Sequence, residues 1–312
     1  MAARRTLRLG VLAGRLGEIQ AAEILKNLRR RSRGLAWDAT ARPVKRPRRG
    51  RGDETGEIPV REFYSEPLHQ ALMAGEIDVA VHRMKDFPAF LPADAAIAAV
   101  LPRKTPLDVL VALDNQILDD LPPGVRISVS SLRRMAQLRQ YRADVEFVYG
   151  LGEVEERLER LNRGEVDGVV LAAAGMEWLG LQDRVSEVFT IELSVPAAGQ
   201  GALGLVTRAD DREAIEAVRG LNDALSRREI KAERAFLRTL EAWPGAPVGA
   251  LGRLKGDILR LEGVICSPGG EHVLRMGTDG SPDDPAWVGE HLARQMLREL
   301  GREILDIARE EL

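Results

Sequence analysis

The chain has 312 residues, 45% of them hydrophobic and 30% charged, and a formal net charge of −3. That length accommodates two or three domains with a substantial core, and the near-neutral balance argues against wholesale nucleic-acid binding. One cysteine, Cys266, excludes an internal disulfide and a cysteine-rich metal site, and His69, His82, His272 and His291 show no ligand spacing, so no metal is expected.

The basic start is followed by an apolar run broken at Arg8 and Arg15, too short for a secretory core or a membrane span, so a cytoplasmic protein with no membrane partner is expected. Residues 7–12 read as a buried strand and residues 17–31 as a helix whose apolar side includes Ile19, Ala22, Ile24, Leu25 and Leu28. Strand then helix is an α/β opening. Residues 32–59 are rich in Arg, Gly and Pro, with little hydrophobic periodicity, and read largely as loop; Arg42, Lys45, Arg46, Arg48, Arg49 and Arg51 concentrate charge there. Loops of that length are uncommon unless functional. A helix at 67–74 stops at Gly75, and Ile77-Asp78-Val79-Ala80-Val81 runs as a buried strand into His82-Arg83-Met84-Lys85-Asp86-Phe87-Pro88. Asp86 thus stands just past a strand's carboxyl end, where open α/β sheets place ligands.

A second α/β unit starts near Pro106, with strands at 109–113 and 125–129, a helix after Ser131, a strand at 146–149, a helix at 154–162 and a strand at 168–173. Turn chemistry at 196–201 feeds an apolar strand that returns to the first domain. A helix at 225–240, a hairpin of 248–254 and 258–266, and helical residues 287–312 make a third α/β domain. The expected limits are 1–105 plus 197–221, 106–196 and 222–312, with a cleft between the first two domains.

Ser130-Ser131-Leu132-Arg133-Arg134 follows one of these strands and opens a helix. Backbone N–H groups at a helix start, two hydroxyls able to cap them and two forked guanidiniums suit a carboxylate or phosphate. Taken alone, the run also describes an N-cap followed by solvated arginines.

Blocks 77–88, 130–138, 157–165, 171–175, 179–181, 196–201 and 232–235, in this order and spacing, make the chain resemble the hydroxymethylbilane synthase (porphobilinogen deaminase) family along nearly its whole length. The resemblance implies two lobes like those of type II periplasmic binding proteins and a small open-faced third domain. It implies a monomeric transferase of porphyrin biosynthesis that joins porphobilinogen units head to tail, with loss of ammonia, on a covalently held dipyrromethane primer. It implies Asp86 as the catalytic carboxylate. It further implies that Lys85, Arg133, Arg134 and Arg157, with Ser130, Ser131 and Gln200 nearby, partner the acetate and propionate arms of small anionic pyrroles.

The chain also departs from the pattern. Pro244 falls where the family has the cysteine that forms the thioether to the primer, and proline has no nucleophile. Family arginines align with Leu12, Leu151 and Trp178, and each missing guanidinium leaves a ligand acid short of a partner, so a less carboxylated ligand is expected. Hairpin pairing sets Cys266 opposite Gly245 or Ala246, making it a candidate relocated anchor; the other reading is a small buried hydrophobe. The long loop after Ser32, with its arginines at 42–51, falls where the family has a lid, and closure on an anionic ligand, a nucleic-acid tail and a solvated basic loop are its three readings; no nucleic-acid partner is expected. Two functions stay open: a transferase with altered primer use, or a non-polymerising protein binding a haem, porphyrin or bilane-like tetrapyrrole in the old site, with dipyrromethane absent. Lone histidines such as His69 and His82 assign no haem ligand.

Overall fold

The computed structural model describes residues 5–31, 37–45, 66–243 and 245–311. Pro244, Arg46, Arg48, Arg49 and Arg51 lie outside the described residues. The chain opens with strand β1 (Arg5–Leu12), helix α1 (Arg15–Arg31) and strand β2 (Trp37–Val44), followed by α2 (Glu66–Met73), β3 (Val79–Arg83) and β4 (Ala95–Val100). A second set comprises β5 (Asp108–Ala112), β6 (Arg126–Val129), α3 (Leu132–Tyr141), β7 (Glu146–Tyr149), α4 (Val154–Asn162), β8 (Gly168–Ala172), α5 (Ala173–Leu179) and β9 (Glu187–Val188). Strand β10 (Leu203–Arg208) then returns to the first sheet and pairs antiparallel with β3 and β4, as the apolar run after the 196–201 turn predicts.

The first sheet has the order β2-β1-β3-β10-β4, with β1 parallel to β2 and β3. The second has the order β7-β6-β8-β5-β9, with β6 parallel to β7 and β8, and β5 antiparallel to β8 and β9. In each sheet one strand, β10 in the first and β5 in the second, runs against the other four. Central strands are apolar on both faces, as helix-covered sheets require: every residue of β5 is buried.

After α6 (Arg212–Arg219) and α7 (Ala224–Thr239), strands β11 (Val248–Lys255), β12 (Ile258–Cys266) and β13 (Val273–Gly280) form an antiparallel meander, followed by α8 (Pro285–Met296) and α9 (Arg302–Glu310). The β11–β12 hairpin turns on Gly256 and Asp257, and Gly256, at φ 60, supplies the positive dihedral that a two-residue turn needs. The meander has its own core of Phe236, Leu261, Ile265, Leu292 and Met296. The fold is therefore α/β, with two sheet-rich lobes and a small third sheet domain. By compactness the described residues fall into two units, one drawn from 1–48, 62–103 and 202–227, the other from 104–201 and 228–312, so the second unit carries two of the sheets.

Strands β4, β9 and β13 have no counterpart among the expected elements, and three further elements differ from expectation. Strand β2 lies inside the stretch read as loop; as an edge strand with Thr40, Ala41, Arg42 and Pro43 exposed, it carries almost none of the apolar signal of a buried strand. The buried side of α1 is Leu16, Gln20, Ala21, Ile24 and Leu28, whereas Ala22 is exposed. The final helical stretch is interrupted at Leu297–Gly301, where Glu299 leaves helical dihedrals at ψ −128. No helix among the described residues is long and apolar enough to cross a membrane.

Candidate functional site

In the first unit, β3 ends in a 3-10 turn, Met84–Asp86, that carries Lys85 and Asp86 beyond the sheet. The turn is held from below: Met84 N–H donates to the Ala202 carbonyl at 3.0 Å, and Gly204 of β10 leaves room for the Met84 sulfur, which a Cβ there would meet at 2.3 Å. Asp86 is mostly buried and pairs through Oδ2 with Arg83 Nε at 2.8 Å. Both line a pocket with Leu12, Leu16, Gln20 and His82. His82 is buried and its ring packs on Phe87 with centroids 4.7 Å apart; His69 Nε2 lies 3.7 Å from Asp94. No cluster of three metal-ligating side chains occurs among the described residues.

In the second unit, β6 delivers Ser130 and the start of α3. Ser131 occupies the N-cap position, and its carbonyl accepts from Met135 N–H at 3.0 Å, but its side chain makes no capping bond. Arg133 and Arg134 are buried and converge on Asp108, the first residue of β5, with Arg133 Nη1 at 2.9 Å from Oδ2 and Arg134 Nη2 at 2.6 Å from Oδ1. Arg133 also donates to the Val195 carbonyl at 2.6 Å, and Arg134 to Ser130 Oγ at 3.4 Å. Gln200 completes the group, donating through Nε2 to Asp108 at 2.9 Å and to the Pro106 carbonyl at 2.6 Å. Arg157, buried on α4, donates to the Ser128 carbonyl at 2.8 Å and to Ser130 Oγ at 3.3 Å.

Burial alone would raise the Asp108 carboxyl, but the charges of Arg133 and Arg134, with hydrogen bonds from Arg134 and Gln200, hold it far below the ordinary carboxylate range. Burial lowers the Arg133 pKa, against the pull of Asp108. Two guanidiniums share one carboxylate, so these three buried groups keep one formal positive charge, and Arg133 Nε has no hydrogen-bond partner among the described residues. That arrangement suits an added anion. The structure thus brings Ser130, Arg133, Arg134, Arg157 and Gln200 into one cluster.

The family comparisons agree with this order of groups along the chain. Residues 7–216 match the model described as porphobilinogen deaminase, dipyromethane cofactor binding domain, and residues 227–298 match porphobilinogen deaminase, C-terminal domain. The chain belongs to the porphobilinogen deaminase family. A porphobilinogen deaminase of Pelotomaculum thermopropionicum is 43% identical over 80% of this chain and 80% of its own, and that of Desulforudis audaxviator is 39% identical over 97% of each. Among solved structures, the methionine binding protein MetQ aligns at 15% identity with a TM-score of 0.44, over 80% of this chain and 99% of that one. Membership of the deaminase family places the chain in tetrapyrrole biosynthesis.

The family's dipyrromethane group asks for a nucleophilic anchor and for cations. Cys266 is the sole cysteine and is fully buried beside Ala136, Val195 and Val264. Its N–H pairs with the Pro247 carbonyl, one residue beyond the expected Ala246. Burial pushes its thiol up to about 12, so it stays protonated and shielded. Thioether anchoring through Cys266 therefore does not fit, and the geometry favours the buried-hydrophobe reading. The cations are better supplied. Trp178 has Lys104 Nζ 5.5 Å above its ring, and Leu12 shares its pocket with Arg83.

Sequence reasoning missed Asp108, Arg83 and Gln20. A charged residue heading the apolar run Val109-Leu110-Val111-Ala112 marks Asp108 as buried and paired. Gln20 stands on the stripe Leu16, Gln20, Ile24, Leu28, where spacing by four places an amide on a buried helix face.

Proposed function

We propose that the chain joins porphobilinogen-type pyrroles head to tail with loss of ammonia, without a primer held by thioether to cysteine. What supports this most is Asp86, a largely buried carboxylate on a braced turn beyond the end of β3. Breaking the bond between the aminomethyl carbon and its nitrogen releases ammonia and leaves a pyrrole cation; an ionised carboxylate in a water-poor pocket stabilises it. The α-carbon of a second pyrrole attacks that carbon, a carbon–carbon bond forms, and the α-proton departs to a base, the role of Asp86. Lys85, Arg133, Arg134 and Arg157 serve the acid arms, and the excess charge around Asp108 supports that role.

Dipyrromethane, where bound, supplies a starting pyrrole pair. The residues here do not fit its usual covalent attachment, because the only thiol is buried and protonated. Purified protein incubated with porphobilinogen is expected to release ammonia, and Asp86→Asn to reduce that release at least about a hundredfold, as removal of a general base does. Undiminished turnover by the variant would refute the role of Asp86. Tetrapyrrole binding by the parent protein, without ammonia release from porphobilinogen, would instead support the non-polymerising binder.

A further inference from the structure

In the second unit the consecutive residues Glu192 to Val195 are gripped from two sides. The first two end a turn, and Arg275 of β13 takes both of their carbonyls: Nη1 donates to Glu192 and Nη2 to Leu193, the latter at 3.0 Å. The next two are held by α3. Ser194 Oγ, closed to solvent, accepts from Arg133 Nη1 at 3.3 Å, and the Val195 carbonyl accepts from the same Nη1 at 2.6 Å and from Gln137 Nε2 at 3.2 Å. Val195 N–H in turn donates to Gln137 Oε1 at 2.9 Å. One short strap thus joins a guanidinium of the third sheet to the guanidinium that pairs with Asp108.

The residue type fits this task. Two consecutive carbonyls ask for two donors in fixed relation, which a planar guanidinium supplies and the point charge of a lysine does not. Burial lowers the Arg275 pKa, and its Nε is buried with no hydrogen-bond partner among the described residues. A half-buried cation held by carbonyls is a costly fastening for an ordinary turn. The segment it fastens, however, is the one that aims Arg133. The two arginines are also close across the core: Cys266, packed with Ala136, Val195 and Val273, feels the charge of both.

We propose that Arg275 is a positioning residue for the acid-arm site: by fixing Glu192 to Val195 it sets where Arg133 presents its remaining Nε–H donor to a pyrrole carboxylate. The assignment rests on the reading that Arg133 serves such an arm. The third sheet then contributes to recognition without touching the ligand. When the strap slackens, the Val195 carbonyl and Ser194 hydroxyl shift, and the Arg133 guanidinium follows them. Its contact with the arm weakens in the ground state and the transition state alike, so affinity falls and the turnover number does not.

The test uses the full chain and porphobilinogen. Arg275→Gln is expected to raise KM about tenfold, the worth of one hydrogen bond to a charged group, with kcat little changed. Arg275→Lys, which keeps the charge and one donor, is expected to show a smaller rise, and it carries the comparison should Arg275→Gln not fold. In an Arg133→Lys background the same change at 275 is expected to leave KM where Arg133→Lys alone puts it, because residues that act through one another do not add. An unchanged KM in the single variant, or an equal rise in both backgrounds, overturns the positioning role; the equal rise marks a merely structural one. If the parent releases ammonia while Arg275→Gln keeps the parent KM, the positioning falls and the pyrrole-joining reading stands. If the parent releases none, propionate is titrated instead against the 15N resonance of Arg133 Nε–H, assigned with Arg133→Lys. Weaker propionate binding in Arg275→Gln than in the parent then upholds the positioning while the reaction falls, and equal affinity or an unmoved resonance overturns it.

Discussion

Arg134 Nη2 lies 2.6 Å from Asp108 Oδ1 at a position closed to solvent, with Arg133 on the other carboxylate oxygen. This is a buried ionic group with more cation than anion. Removing the carboxylate that both arginines share leaves two buried guanidiniums without an anionic partner among the described residues, and Asp108→Asn is expected to lower stability by about 3–5 kcal/mol. Its pH dependence has a definite sign. The folded-state carboxyl lies below its unfolded value of about 3.9, so its contribution is complete above that pH and lost as pH falls through the folded value. Urea unfolding across the pH range is expected to show the largest gap between parent and variant near neutrality, narrowing in strong acid. A gap that widened below pH 4 would contradict the pairing.

Cys266 gives a second expectation. With its thiol held protonated by burial, a thiol reagent is expected to modify the folded protein only at the rate of unfolding, and denaturant to expose the full reactivity. Cys266→Ser puts a hydroxyl into an apolar pocket and is expected to cost about 1–3 kcal/mol. Intact mass is expected to equal that of the polypeptide, with no adduct lost in the variant. A pyrrole adduct on Cys266 would overturn this account.

Gly201, at φ 83, lies in the turn that bears Gln200, and a Cβ there would stand 2.5 Å from the Lys104 carbonyl oxygen. Backbone cannot swing aside as a side chain does, so Gly201→Ala is expected to cost about 1–3 kcal/mol or more. Gly256, at φ 60 with nothing within 4 Å, is the control: Gly256→Asn is expected to cost below about 1 kcal/mol, since asparagine tolerates that dihedral. Thermal melts of the two variants decide between them. Equal losses would show that the close approach at Gly201 is unimportant.

Glu233, wholly buried on α7, accepts the N–H of Gly199 at 2.6 Å and that of Gly252 at 2.8 Å, tying the Gln200 turn to β11. Glu233→Ala leaves two buried donors unmatched and is expected to cost about 2–6 kcal/mol in denaturant unfolding. Glu233→Gln keeps one acceptor oxygen and is expected to lose less. Equal stability of the two variants would argue that water replaces both bonds.

Much of this architecture was legible in the residues. The central strands announce themselves because a strand covered on both faces must be apolar throughout, and the helices because one face must be. The edge strand β2 gave little signal, since its exposed positions tolerate Arg and Pro. The polar and cationic residues Ser130, Arg133, Arg134, Arg157 and Gln200, which the fold clusters, were singled out by type and order, and family membership by their blocks. Their partners were not. Asp108 precedes Arg134 by 26 residues and Gln200 follows it by 66, separations over which local pattern carries no information.

Sequence by itself therefore determined the kind of fold, the family and the identity of the charged groups, because periodicity, turn residues and residue chemistry are local properties. Tertiary structure decided how those charges are spent. Folding alone set Arg133 and Arg134 against one carboxylate, Arg83 against Asp86, and Cys266 inside an apolar core, since burial and pairing arise only when strands distant in the chain are brought side by side.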